Sequence, residues 1–501
     1  MYFLLTSVLL TTLFLTFSRG GILSLIFLTI VLLFLLKDLK GWGKVLGIIV
    51  FSLLLAGAIY YISSNFNFLL SPQKPLESAV REEAVVESAQ GRFEFWEGAV
   101  RIFSSYPLLG SGLGTFSQVY NQFQPGRWYS RFAHNIYLEV ASETGVLGLI
   151  AFLSLILGII FLVRDDEKKP FFLASLSGFL LHNFLDYDLN LSVIGIAFFL
   201  LVGLNVKEGR SFSFREGNLL PPVFASLLVL LFFLSNFFQE AGINLLNSHN
   251  KNAGMRYLEV ATLLNPLSAR GHVWLAHGYL NNSEFINAFR EAKKAVFYAP
   301  INSSSWETLG LIEEVKGDLE KAEVAYKRAR DLSPKNPYFH RVLGEFYLRH
   351  KKYEKAEEAF QKGLSLLPLY RGGMKDALER TPAYELILIY VDEGVLQLEK
   401  KNFREAYQYA EKAISYRSNL VSALIVRGKA LKALGKGAEA LLSFMEALEI
   451  TESAEAHYEI GTIYEKEGKV EKAREHFQKA LELNPKLEKA KERLNSLGVK
   501  K

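Results

Sequence analysis

Small residues return every 34 positions through the second half of the chain, and that spacing restricts its fold more than any other feature. Ala276, Gly310 and Gly344, then Gly394, Gly428 and Gly461, mark one register. Ala288, Ala322, Ala356, Ala406, Ala440 and Ala473 mark a second, and Pro300, Pro334, Pro368 and Pro485 close units. A period of this length is one helix–turn–helix per repeat, stacked because no single pair buries its apolar face alone. Glycine and alanine belong where two antiparallel helices approach closely, and proline stops the second helix. Tyr326, Phe360, Phe444 and Phe477 are expected to fill the space between units. Six units are clear, with an insertion around 371–386. The register also runs back through Gly242, Gly254, Ala261 and Pro266, so a seventh unit should grow from the last apolar run through a semi-rigid joint.

The pattern resembles the tetratricopeptide repeat, which implies a concave surface that takes a protein or peptide partner. The competing reading is a scaffold for an assembly with no ligand chemistry of its own. His272, His277, His340, His350, His457 and His476 are scattered over helical faces and suggest no catalytic set. The chain has no cysteine, which excludes a disulfide framework, a zinc–thiolate site and a cysteine nucleophile. Its net charge of +5 is diluted among many carboxylates, so no nucleic-acid partner is expected.

Residues 1–245 are built otherwise. Apolar runs of membrane-spanning length lie near 2–17, 20–36, 44–62, 134–163, 170–184, 191–206 and 219–239. They predict a polytopic, all-α membrane helix bundle of about seven spans, followed by the α-solenoid over 246–501. The first run has no basic flank and no small-residue cleavage site, so it reads as a span and not as a signal peptide. Only Ser18-Arg19-Gly20-Gly21 separates it from the second, which predicts a tight hairpin. Lys37, Lys40 and Lys44, then Arg164, Lys168 and Lys169, then Lys207, Arg210 and Arg215 fill alternate short loops. Those loops should face the cytoplasm. Arg19, the long loop 63–133, Asp186 and the whole repeat domain are then expected outside.

That loop carries the chemistry. Residues 76–104 are amphipathic and are expected to form helices on or near the membrane surface. Pro107 to Gly114 is punctuated by proline and glycine. Arg92-x-x-x-Trp96, then Pro107-x-x-Gly110-x-Gly112-x-Gly114-x-Phe116, then Ala133-His134-Asn135-x-Tyr137-Leu138 and Glu143-x-Gly145, resembles the signature of the O-antigen ligase and polymerase-related superfamily. The resemblance spans roughly residues 2–205. It implies a metal-independent membrane glycosyltransferase that moves a glycan from undecaprenyl pyrophosphate to a lipid, glycan or protein hydroxyl. It also implies a bacterial cytoplasmic (inner) membrane protein, with functional residues at Arg19, Arg92 and His134.

The chemistry suits those residue types. A departing pyrophosphate gathers negative charge, and planar guanidinium groups meet phosphate oxygens two at a time while staying charged. Histidine is suited to take the proton from the acceptor hydroxyl. With two arginines carrying the charge, neither a metal nor another cofactor is expected. Each residue also has a plainer account. Arg19 is then an interfacial arginine snorkelling at a span end. Arg92 pairs with Glu94 or Glu97 on a solvated face, and His134 caps its helix and bonds a loop carbonyl. Arg127 and Arg131 read first as solvated loop charges and second as contacts for acceptor phosphates.

His182-Asn183-x-x-Asp186-Tyr187-Asp188 forms a second polar cluster. His182 and Asp186, four apart, should share a helix face and position the acceptor, or else close a hydrogen-bonded helix end. Asp186 and Asp188 also spell the acidic pair that many nucleotide-sugar transferases use for metal, but their outward placement argues against that role. Members of the superfamily carry further spans ahead of the Ser-Arg-Gly hairpin, so the resemblance implies an N-terminally truncated or split member, or a second chain supplying those helices. A membrane transferase of a polyprenyl-pyrophosphate-linked glycan is the leading expectation; a non-enzymatic membrane anchor whose repeats organise an envelope assembly is the alternative.

Overall fold

The computed structural model describes residues 19–35, 42–43, 46–55, 77–126, 128–163, 169–186, 192–205, 220–248, 250–366, 371–372 and 382–499. The first apolar run, Arg127, Tyr187, Asp188 and most of the 371–386 insertion fall outside them. The described chain is all-α apart from two-residue extended segments at Trp128–Tyr129 and Arg371–Gly372. It divides into two compact units, Met1–Leu230 and Leu231–Lys501.

The first unit contains α1 (Arg19–Leu35), a short apolar helix Leu46–Leu55, α2 (Glu77–Ser105), α3 (Phe116–Phe123), α4 (Ile136–Leu162), α5 (Lys169–Leu185) and α6 (Ser192–Asn205). Among the described residues, α4 is the one helix long and apolar enough to cross a membrane. Its outer side chains remain exposed, as a lipid-facing surface requires: Leu147, Ile150 and Leu157 have no protein over them. α1 lies close against α5, because Gly178 leaves room only for the Leu28 side chain and the Ser24 carbonyl. The region expected to hold several surface helices is one helix, α2. Gly91, Phe95, Gly98, Ala99 and Ile102 form its buried stripe, at helical spacing. Gly98 sits under the Tyr120 ring of α3, where any Cβ would collide with it.

The second unit opens with the C-terminal part of α7 (Leu220–Asn247) against α8 (Lys251–Leu264). Gly242 and Gly254 face each other so closely that a Cβ on either would meet the other's carbonyl oxygen. Six hairpins follow in the described residues: 269–298, 303–332, 337–366, 382–416, 421–450 and 454–483. Ser268, Asn302, Asn336 and Ser453 cap the first helices with side-chain oxygens that accept backbone N–H groups. Ala288, Ala322, Ala356, Ala406, Ala440 and Ala473 are fully buried.

The aromatic residues belong to cores shared between neighbouring units, as expected, and they also fill the space within their own hairpins. Tyr326, Phe360, Phe444 and Phe477 lie inside their own hairpins, each ring covering the glycine of the first helix at Gly310, Gly344, Gly428 and Gly461. They reach the neighbour as well, as Tyr326 does to Phe346 at 5.2 Å between ring centroids. The 382–416 hairpin departs from the pattern. Ala410 stands where the ring would be, and Val426 of the next hairpin closes over Gly394 instead. A left-handed residue recurs in the turn within each hairpin, at Ser283, Gly317, Lys351, Lys401, Gly435 and Gly468.

Candidate functional site

The site begins with a break in a helix. Gly145 in α4 has φ +67° and ψ −167°, so the helical ladder stops and the carbonyls of Ser142 and Glu143 are released. The loop between α2 and α3 takes them: Ser111 N–H donates to the Ser142 oxygen (2.9 Å) and Gly112 N–H to that of Glu143 (2.9 Å). In return Val146 N–H donates to the Pro107 oxygen at 2.8 Å. The Glu143 carboxylate accepts Gly114 N–H and Phe116 N–H, both at 2.9 Å, and so holds the start of α3. Gly110 and Gly145 have positive φ and lie against the backbone of Glu143 and Leu108 respectively, where no Cβ fits. The Pro107–Phe116 and Glu143-x-Gly145 motifs are therefore two halves of one interlock.

His134 is fixed just ahead of α4. Asn135 caps that helix, its side chain accepting Tyr137 N–H and Leu138 N–H. On the other side, Ala133 N–H donates to the buried Glu139 carboxylate at 2.9 Å. Between these anchors His134 takes φ +51°, a left-handed conformation that a non-glycine residue adopts only when its surroundings impose it. Trp96 Nε1–H donates to the His134 carbonyl (3.2 Å), and the imidazole stacks on Phe95 at 5.5 Å. Phe95 and Trp96 come from α2 and bring Arg92, one turn earlier, to the same place.

Asp186 joins the two. Its Oδ1 lies 3.2 Å from His134 Nδ1 and its Oδ2 lies 3.8 Å from the Arg92 guanidinium. All three side chains stay partly open, at 24% exposure for His134, 27% for Asp186 and 32% for Arg92. Phe184 completes the rim, packing on Trp96 at 5.7 Å and Tyr137 at 6.2 Å. A carboxylate oxygen accepts, so this contact suits a proton on Nδ1.

The geometry bears on the plainer accounts of Arg92 and His134. Glu97 pairs with Arg101 (2.6 Å), one turn along α2, whereas Arg92 faces Asp186. Asn135 does the capping, and the His134 ring meets the Asp186 carboxylate. Asp186 lies just past the end of α5 and points its carboxylate at Arg92 and His134. His182 sits in the last turn of α5, partly buried, next to the buried Asn183. Arg131 is exposed, Arg127 lies outside the described residues, and of Arg19 the structure describes the backbone, as the first residue of α1. Among the described residues no group of three or more histidine, aspartate or glutamate side chains is placed to hold a metal.

Comparison with known proteins matches this division. Residues 4–153 match the O-antigen ligase family model, and residues 275–337, 307–370 and 454–487 match tetratricopeptide repeat models. The chain thus joins an O-antigen ligase segment, containing Arg19, Arg92 and His134, to tetratricopeptide repeats. Asp186 lies beyond the matched segment. The human protein O-mannosyl-transferase TMTC3 is 27% identical over 188 residues, 37% of this chain and 20% of that protein. The chaperone protein YscY of Yersinia enterocolitica is 29% identical over 79 residues, 16% of this chain and 69% of that one. The chain therefore spans about a fifth of the human transferase. Among solved structures, a tetratricopeptide repeat protein from Parabacteroides merdae aligns with 18% identity and a TM-score of 0.42, over 52% of this chain and 98% of that one. The pilus biogenesis factor PilW aligns with 17% identity and a TM-score of 0.37, over 45% and 98%.

Proposed function

We propose that this chain is a membrane glycosyltransferase that moves a glycan from a polyprenyl-pyrophosphate donor to a hydroxyl acceptor on the outer face of a bacterial cytoplasmic membrane. The observation that carries the reading is the single carboxylate of Asp186, which meets His134 on one oxygen and Arg92 on the other. Asp186 favours the imidazole tautomer with its proton on Nδ1, and it stabilises the imidazolium that forms when Nε2 takes a proton. Nε2 takes the acceptor proton as the acceptor oxygen bonds to the anomeric carbon. The bond from that carbon to the phosphate oxygen breaks, and pyrophosphate leaves with the electron pair. Arg92, with Arg19 as its partner, neutralises the leaving group, so no step calls for a metal.

The repeat unit supplies partner binding. A groove of about 680 Å³ runs over the first helices of successive hairpins, with Val391, Val395, Leu398 and Ile425 at its base and Lys429 and Glu455 at its edge. Its apolar floor and charged edge suit an extended peptide, which favours a protein acceptor or a protein partner held near the membrane.

The test is glycan transfer from the lipid-linked donor in membranes that contain the full set of helices, supplied in cis or as a second chain. His134→Ala should lower transfer by about 10²–10⁴-fold while donor binding persists. Arg92→Lys and Arg19→Lys keep the charge but lose the planar fork, and should impair transfer severely. Asp186→Asn should lower kcat more than it raises the donor KM. Near-normal transfer by His134→Ala, or a strict need for divalent metal, would overturn the mechanism, and no transfer by the parent chain with the full set of helices would favour a non-enzymatic anchor.

A further inference from the structure

We propose that the loop Pro107–Gly114 is a lipid anchor, with Leu108, Leu109 and Leu113 inserted among the acyl chains of the leaflet nearest the site. The inference rests on the membrane reading of α4 and extends it to a segment that hydropathy alone leaves in water. Residues 102–126 contain no Asp, Glu, Lys, Arg or His, whereas residues 77–101 carry nine such charges. Within that charge-free stretch Leu108, Leu109 and Leu113 are 65%, 75% and 83% exposed. Three bare leucines on a loop held rigidly by hydrogen bonds are costly in water and favourable in hydrocarbon.

The level of the loop follows from its dock. It is bonded to α4 at Ser142, Glu143, Val146 and Leu147. About 20 helical residues cross the hydrocarbon core, and counting that far back from Leu162, the last residue of α4 and two before the charged stretch Arg164–Lys169, reaches Glu143. The interlock therefore sits at the edge of the acyl region, and the exposed leucines continue the lipid-facing surface of Leu147 and Ile150.

Irregular backbone is tolerated at that depth only where its polar groups are satisfied by protein. This loop meets the condition. Six of the seven N–H groups from Gly110 to Phe116 have acceptors: the carbonyls of Tyr106, Gly112, Ser142 and Glu143, and both oxygens of the Glu143 carboxylate. The same acceptors explain why the break at Gly145 costs α4 little. What α4 loses along its own axis, the loop restores from the side.

The natural chain lacks cysteine, so single cysteines report without background. Leu109→Cys, Leu113→Cys, Ile150→Cys and Arg131→Cys would each be introduced into the full chain, nitroxide-labelled and reconstituted in phosphatidylethanolamine–phosphatidylglycerol vesicles. The readout is relaxation by oxygen against relaxation by a water-soluble nickel chelate. Positions 109 and 113 should match position 150, with an oxygen-to-nickel ratio several-fold above that at 131. A membrane-impermeant maleimide should react with unlabelled Arg131→Cys and spare the other three until detergent is added. Lipid-like behaviour at 150 with water-like behaviour at 109 and 113 would overturn the anchor and leave the span intact. Water-like behaviour at all three would overturn both.

Discussion

In the unit that holds Arg92 and His134, the glycines at 110, 112, 114 and 145 all have positive φ, and two of them press against backbone. In the repeats, Gly310, Gly344, Gly428 and Gly461 lie inside regular helices, and what each excludes is the side-chain ring of an aromatic residue. One unit uses glycine to bend the chain into an irregular interlock that no other residue can enter. The other uses it to bring two regular helices together around a ring. The difference teaches where each unit can absorb change. A ring can be trimmed, but a neighbouring backbone cannot.

Gly145→Ala should therefore be the most damaging of the simple substitutions. It adds a Cβ about 2.3 Å from the Leu108 carbonyl at a backbone angle that alanine resists, for a cost of roughly 3 kcal/mol or more. Limited proteolysis in detergent should then cleave within 107–114 and leave that loop uncut in the parent. An uncut loop and unchanged melting would mean the interlock is not what holds this unit. No side-chain replacement elsewhere should rescue the variant.

Gly344→Ala should cost less, about 1–3 kcal/mol, because its Cβ meets the Phe360 ring at 2.4 Å in an ordinary helical backbone. Here rescue is expected: Phe360→Leu, itself destabilising, should recover part of the loss when combined with it. A double-mutant cycle on the repeat unit measures this coupling, and strict additivity would show that the ring does not rest on the glycine.

Glu393 sharpens the comparison through pH. It is fully buried between hairpins, Gln361 donates to one of its oxygens at 2.6 Å, and burial pushes its pKa up to about 7, with Glu357 adding to the rise and Lys400 opposing it. The folded state then holds a proton that the unfolded chain releases near its ordinary 4.5. Its contribution is fully present below about pH 4.5 and is lost as pH rises through 7. Glu393→Gln should raise stability by on the order of 1–3 kcal/mol at pH 8 and change it little near pH 4.5. Urea melts at the two pH values decide it, and an equal gain at both would assign the effect to packing.

The smallest effect concerns the turns within the hairpins. Gly317, Gly435 and Gly468 occupy the left-handed position in three of them, and Lys401 occupies it in another with φ +63°. Lys401→Gly should stabilise by about 0.5–1 kcal/mol, readable as a small upward shift in Tm. A loss of stability would mean that the lysine side chain contributes contacts the backbone argument leaves out.

These contrasts also mark what could be read from residues alone. The repeats were legible because each contact recurs at one spacing, so Gly310 and Gly344 announce the same packing. The period points to rings between units but does not say that each ring also covers the glycine of its own hairpin. Arg92 and His134 stand out by residue type and motif, but their shared partner lies 52 residues beyond His134. Spacing along a helix pointed Arg92 to Glu94 or Glu97, and Arg101 had the better claim on Glu97. Glu143 and Gly145 were visible only as a motif, because their work is to meet the backbone of a loop about 30 residues away. A pattern that occurs once carries no register from which to infer its partner.

The exception at Ala410 has a consequence for how such a chain can grow or shrink. Hairpins such as 303–332 and 337–366 carry their own ring over their own glycine, so either can be duplicated or deleted with each remaining glycine still covered. The 382–416 hairpin borrows Val426 from its neighbour, so the two must be inherited together. Length variation among relatives of this domain should fall in steps of one hairpin on the N-terminal side of that pair, and in steps of two across it.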